Sequence, residues 1–260
     1  KIFKSKNLNK NIFKFKDDYL KKMKLYINQK FSKIDINKTY IFHHREPGYN
    51  NTSYMRGSNI KNYLPSIKYL LSKGYSVIRL THSTAKKLNI TNTNYYEVNT
   101  DKYINKMLQY YLIYKSRGLL CSSSGPGSIG SLLSKPVYHI NSVGINVHAT
   151  NKYGIYLLKK IKLNKKTISF KYAIKNNYFK FYLSTRYSIK KGYSVIENTP
   201  EEILEGLKEF INVKRNNKTS KLQKKFKKLL PSYMELKLYD SNISKNFILK
   251  NKKLFLDLIN

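Results

Sequence analysis

The chain has 260 residues, with 51 Lys and Arg against 14 Asp and Glu for a formal charge of +37. Its 41% hydrophobic and 14% aromatic content excludes a disordered chain and bounds the fold to one large or two small domains with a real core. A lone cysteine, Cys121, excludes an internal disulfide and a cysteine zinc cluster and fits a reducing compartment, and no run of about 18 apolar residues offers a transmembrane helix.

Lys1 to Asp35 is basic, with Phe13, Phe15, Leu20, Met23, Leu25 and Ile27 at roughly helical spacing. It reads as the tail of a preceding region, packed on the domain that begins near Thr39. The start lacks a signal-peptide apolar core and an initiator Met, so the sequence is expected to be trimmed or a fragment. Thr39–Arg45 reads as the first strand, and a loop from Glu46 to Ser58 comes next, broken by Pro47 and Gly48. Asn59–Lys73 reads as a helix capped by Gly74, and Tyr75–Leu80 as a second strand. Strand, helix and strand in that order imply a parallel sheet with right-handed crossovers.

The pattern continues with a short strand at Tyr95–Val98 and a helix at Asp101–Ser116. Gly118–Asn141 then supplies an apolar strand, a Ser/Gly turn, a helix of about one to three turns and a strand at Val137–Ile140. Asn141–Lys190 reads as mixed, with a helix expected at Tyr153–Lys160, and Tyr193–Glu197 as another strand. The next helix opens with Thr199 as N-cap, Pro200 in the first position and Glu202 closing a capping box. Lys214–Leu230 reads as a basic amphipathic helix with eight basic residues between Lys214 and Lys228, and a short helix that includes Phe255–Leu258 closes the chain. The basic helix fits a membrane-surface or nucleic-acid contact, and equally a solvated face packed by its apolar stripe.

Ligands of open α/β sheets sit outside the carboxyl ends of the strands, where three sets of residues draw attention. His43 and Arg45 share a face of the first strand by period-two alternation, and an Arg there can grip a diphosphate bidentately. Arg79 and His82 end the second strand; a buried Arg79 must anchor a ligand or a loop or pair with one of the few acids. In the turn Ser122, Ser123, Ser124, Gly125 and Gly127, small side chains and a helix N-terminus with about half a positive charge suit a phosphate, although a tight ligand-free connection explains the same residues. No P-loop or dinucleotide G-x-G-x-x-G spacing is present. Glu46 is the acid nearest Arg45 and a candidate general base, Tyr49 is one loop tyrosine among 24, and His139 reads as packed core. No metal-ligand spacing and no nucleophile elbow is found.

The blocks HHREPGY, RGSNIKNYLPSIKYLLSKGYSVIRL, CSSSGPGSIGSLLSKPVYHIN, GYSVIENTPEEILEGLKEF and SNISKNFILKNKKLFL resemble, over Thr39 to Leu256, a family of bacterial glycosyltransferases encoded with surface-polysaccharide genes. More distantly, the H-x-R strand and Ser-rich turn look like the GT-B fucosyltransferase superfamily. The resemblance implies a Rossmann-like open parallel sheet of the kind that forms the C-terminal nucleotide-sugar domain of a GT-B enzyme. It implies that Arg45 holds the donor diphosphate, that Ser122, Ser123, Ser124 and Gly125 lie against it, and that His43 and Arg79 line the same cleft. Arg56, Asn59 and Tyr63 match a second block of that family. Gly57 stands where that family has an Asn, and Thr81-His82 replaces a Gly-led pair.

The resulting expectation is a basic segment at 1–38, a nucleotide-sugar domain at 39–213 and a basic helical segment at 214–260. The function it implies is sugar transfer from a nucleotide-sugar donor to a saccharide or lipid-linked acceptor, with no cofactor or metal, on the cytoplasmic side and peripheral to the inner membrane. Residues 1–38 are too short for the acceptor domain of a GT-B enzyme. The rival reading is a non-catalytic basic module binding nucleic acid or an anionic surface.

Overall fold

The computed structural model describes residues 14–31, 34–47, 55–144, 154–181, 189–212, 219–232 and 241–255. Gly48, Tyr49, Phe13, Tyr153 and Leu258, and residues 214–218 of the expected basic helix, lie outside them.

In chain order the described strands are β1 (Thr39–His43), β2 (Ser76–Thr81), β3 (Tyr95–Asn99), β4 (Gly118–Cys121), β5 (Val137–Ser142) and β6 (Ile155–Leu158). After them come β7 (Lys160–Leu163), β8 (Lys166–Thr167), β9 (Tyr193–Ile196) and β10 (Asn242–Ile243). Seven of them form a parallel central sheet that runs β3-β2-β1-β4-β5-β6-β10 from one edge. The chain builds outward from β1 to β3, then crosses back and builds the other way from β4. This is the doubly wound, Rossmann-like order, with its reversal point between β1 and β4. The other three make a small antiparallel sheet in the order β8-β7-β9.

Period-two alternation divides the central strands between two cores. Tyr40, Phe42, Val77, Leu120 and Tyr138 face one side, covered by helix α2 (Leu64–Ser72) through Ile67 and Leu70 and by the Pro200–Asn212 helix through Ile203, Leu207 and Phe210. Ile41, Ile78, Leu80, Leu119 and Cys121 face the other. That side is covered by α1 (Asp17–Lys30), α3 (Tyr103–Lys115) and α4 (Gly125–Leu132). Helix α1 contributes Met23 and Ile27 to this core, and Tyr19 OH donates to the Met107 carbonyl on α3 at 2.6 Å. Cys121 and His139 are packed core, as expected: both are almost fully buried, and the His139 ring stacks on Tyr156.

Start signals read from the sequence hold at atomic detail. Pro65 sits in the first turn of α2, after a 3-10 turn at Ile60–Tyr63. In the Pro200–Asn212 helix, Thr199 Oγ1 accepts from Glu202 N at 3.2 Å and Glu202 Oε2 accepts from Thr199 N at 3.0 Å. The helix expected at Tyr153–Lys160 is instead β6, running into β7. Ile155, Tyr156, Leu157 and Leu158 are all buried, and a strand covered on both faces has no alternation to announce it. The Tyr193–Glu197 strand exists as β9, but in the small antiparallel sheet. The basic helix spans Lys221–Leu229 and begins with a Ser220–Gln223 capping box.

Candidate functional site

The register of β1 and β4 pairs His43 with Cys121, so both strands end level and the residues after them emerge side by side. Ser122 stitches the two ends together. Its N–H donates to the His43 carbonyl at 3.2 Å, and its Oγ accepts from Arg45 N at 2.8 Å. Ser124 is the N-cap of α4 in extended conformation, yet its hydroxyl turns back to donate to the Ser122 carbonyl at 3.0 Å and caps nothing. The N-terminal end of α4 is therefore left without a side-chain cap, with Pro126 in its first turn.

Beside this junction lies a cleft of about 180 Å³. The end of β1 contributes His43, His44, Arg45 and Glu46, and the end of β2 contributes Thr81 and His82. Thr100 and Asp101 come from the end of β3, and Ser124, Gly125 and Pro126 from the turn into α4. It is the crevice at the carboxyl ends of the strands, at the point where strand order reverses. A Cβ built on Gly125 would meet nothing within 4 Å, so the space above that backbone is open. Gly127 is small for a different reason: its Cβ would come within 2.8 Å of Cys121 Sγ.

The structure thus brings His43, Arg45, Glu46, Ser124 and Gly125 to one hollow. It separates three other sequence candidates from it. Arg79 is 2% exposed and lies behind the cleft wall, where Nη1 donates to Glu97 Oε1 at 2.9 Å and to the Lys86 carbonyl at 2.7 Å, while Nη2 stands 3.6 Å from Glu46 Oε1. Its register partner on β3 is Glu97 itself. Ser122 is fully buried, with its hydroxyl committed to Arg45 N. Ser123 is buried too, and Arg56 grips its carbonyl with Nε at 3.0 Å and Nη2 at 2.6 Å. These three shape the site from behind instead of lining it.

Sequence reasoning passed over His44, Thr81, Thr100, Asp101 and Pro126. The rule that pointed to His43 applied equally to Thr100 and Asp101, which come directly after β3. His44 was hidden by alternation, which assigns it to the face of Phe42; its ring does pack on Tyr63 beside Phe42, yet the residue still lines the cleft.

A buried polar frame supports the cleft from the β5 side. His44 Nε2 bonds the Ser58 carbonyl, and Ser58 N donates to the Arg45 carbonyl at 3.1 Å. Ser58 Oγ meets Tyr63 OH at 2.7 Å, and Tyr63 OH accepts from Asn141 Nδ2 at 2.9 Å. Asn141 and Asn198 exchange two further bonds, and Asn59 N donates to Glu197. This gives Arg56, Asn59 and Tyr63 a physical role as a brace holding the ends of β1 and β4. Lys159 donates to the Gly57 carbonyl, and burial pushes its ammonium down to about 8 against the opposing pull of Glu197. Gly57 admits no Asn-like side chain, because a Cβ would lie 2.7 Å from Pro47 Cα.

The imidazoles of His43 and His44 are held neutral. Desolvation, followed by His44, Arg45, His82 and Arg79, pushes His43 down to about 3. Burial pushes His44 down to about 4, with Arg79, His82 and Lys159 adding to it and the bond to Ser58 opposing. Both folded-state values lie below the ordinary 6.5, so the unfolded chain takes up protons first as pH falls. Stability is unaffected by these groups above pH 6.5 and is lost as pH drops toward 4 and 3. We expect the urea midpoint to fall from pH 6.5 to about pH 5, above the range where ordinary carboxylates titrate. His44→Phe should flatten that slope, and a pH-independent midpoint in this window would contradict it. No group of three or more His, Cys, Asp or Glu among the described residues is arranged to hold a metal ion.

No family model and no curated protein matches the chain. Among solved structures, it is similar to the E. coli ADP-heptose LPS heptosyltransferase II, with TM-score 0.50 and 12% identity over 78% of this chain and 54% of that one. A UDP-GlcNAc 2-epimerase from Neisseria meningitidis, bound to UDP-GlcNAc, overlaps at TM-score 0.33 and 18% identity over 76% of this chain and 51% of that one, too loosely to carry an argument. The chain spans about half the length of the solved structures it matches. At this identity the first likeness shows a shared Rossmann-like α/β fold.

Proposed function

We propose that the chain is the nucleotide-sugar-binding part of a glycosyltransferase that passes a sugar to a saccharide or lipid-linked acceptor, in surface-polysaccharide synthesis as the family resemblance implies. The observation that carries the reading is the cleft at the β1/β4 reversal point, where Arg45 and the uncapped start of α4 line one hollow. An acceptor hydroxyl would attack the sugar's C1 as the bond from C1 to the diphosphate oxygen breaks, the hydroxyl proton passing to water and the bond's electron pair leaving on the diphosphate. The negative charge that develops on the leaving phosphate would be met by the Arg45 guanidinium and the Gly125 N–H at the positive end of α4, in place of a metal ion. Pro126 has no N–H, and Gly127 N donates to the Ser124 carbonyl at 3.1 Å. The whole reaction needs an acceptor-binding partner domain or chain. The lysine-rich face of Lys221–Leu229 is the surface we assign to an anionic membrane carrying a lipid-linked acceptor. No described helix is long and apolar enough to cross a membrane.

Titration of ADP, CDP, GDP and UDP by calorimetry tests the reading, with Gly125→Leu as its control. At least one nucleotide should bind the parent chain. The variant should unfold at nearly the same midpoint, since a Cβ at this position meets nothing within 4 Å, and should bind that nucleotide at least tenfold more weakly. Equal binding by both proteins would place the nucleotide elsewhere and overturn the assignment.

A further inference from the structure

The cleft is chemically two-ended. Arg45 and the Ser124–Pro126 turn supply its cationic end, whereas Glu46 and Asp101 stand at the ends of β1 and β3. Two of the chain's 14 acidic residues thus face one hollow of about 180 Å³.

Glu46 is held by two long ion pairs. Its Oε1 lies 3.6 Å from Arg79 Nη2 and its Oε2 lies 3.6 Å from His82 Nε2, both beyond hydrogen-bond length, and no described residue donates a hydrogen bond to either oxygen. Arg79 cannot swing out to close that gap, because Glu97 and the Lys86 carbonyl hold it, and Glu97 is itself pinned by Tyr95 OH at 2.7 Å and Leu88 N at 3.0 Å. Asp101 spends Oδ2 on Ser83 N at 2.6 Å. His44 lines the same cleft, its ring edge-on to Tyr63. His44 is 6% exposed, its Nε2 is committed to the Ser58 carbonyl, and its buried Nδ1 has no partner. With Nε2 donating to a carbonyl, Nδ1 of the neutral ring is an acceptor. This end of the cleft therefore calls for a ligand that brings hydrogen-bond donors and no negative charge.

We propose that it is a sugar subsite selecting a neutral, hydroxyl-rich sugar and rejecting one that carries a carboxylate. The inference rests on the nucleotide-sugar reading of the cleft, with the phosphate at the Arg45 and Gly125 end. Sugar hydroxyls donate to Glu46 and Asp101, each an acceptor-only group when ionised. A uronate carboxylate in the same place meets two like charges in a half-enclosed hollow.

The test uses sugar phosphates that lack a base, so it does not depend on which nucleotide the protein prefers. Dissociation constants are measured for the 1-phosphates of glucose, galactose and mannose, for those of glucuronic and galacturonic acid, and for inorganic phosphate. At least one neutral sugar phosphate should bind several-fold more tightly than phosphate and roughly tenfold or more above its uronate counterpart. Glu46→Gln, a substitution at a partly exposed position, should shrink that ratio to about twofold. Equal or tighter uronate binding, no neutral sugar better than phosphate, or an unchanged ratio in Glu46→Gln would each overturn the inference. Nucleoside diphosphate binding without sugar discrimination would sink this inference alone; loss of both nucleotide and phosphate binding would sink the reading beneath it as well.

Discussion

Arg45→Ala is expected to weaken nucleoside diphosphate binding by about a hundredfold, the scale of a lost bidentate charge-assisted pair. The fold should persist. The backbone bond from Arg45 N to Ser122 Oγ survives the truncation, and Arg45 is a half-buried residue that lines the cleft. The stability cost is therefore expected to stay below that of removing the fully buried Arg79. The same variant separates the reading from its rival. Nucleic acid held by the lysine surface would bind Arg45→Ala as well as the parent, and its affinity would fall steeply with salt.

Arg79→Met should show the opposite signature. Removing a guanidinium that is 2% exposed and bonded to Glu97 leaves the Glu97 carboxylate, the Lys86 carbonyl and Glu46 without their shared cation. Breaking a buried pair on one side costs about 3 kcal/mol or more, and urea unfolding should read a loss of that order. Nucleotide binding at concentrations where the variant remains folded should persist. Lost binding with unchanged stability would instead return Arg79 to direct ligand contact.

Arg79 also shows where sequence reading stops. A buried arginine amid Val77 and Ile78 announces that it has a partner, but β2 and β3 must be placed side by side before Glu97, eighteen positions on, is seen opposite it. The serine turn behaves similarly. Small residues between an apolar strand and a helix locate the junction, yet they do not reveal that Ser122 spends its hydroxyl on Arg45 N while Gly125 stays open. The strands around the reversal point were legible because β-branched and apolar runs alternate with helices of matching length. Strand β6 was not, since four residues buried on both faces carry no period. The block Arg56, Asn59 and Tyr63 conveyed nothing chemical in sequence; its meaning lies in bonds to Ser123, Glu197 and Asn141 that close only in the folded chain.

The most direct measurement is a ¹H–¹⁵N titration of the intact chain with the nucleoside diphosphate that binds best. Shifts gathered on the amides of His43–Glu46, Thr81–His82, Thr100–Asp101, Ser122–Gly125 and Gly127 would agree with a phosphate seated where β1 and β4 part. Saturable shifts spread over the lysine-bearing helices, with those strand ends silent, would contradict it.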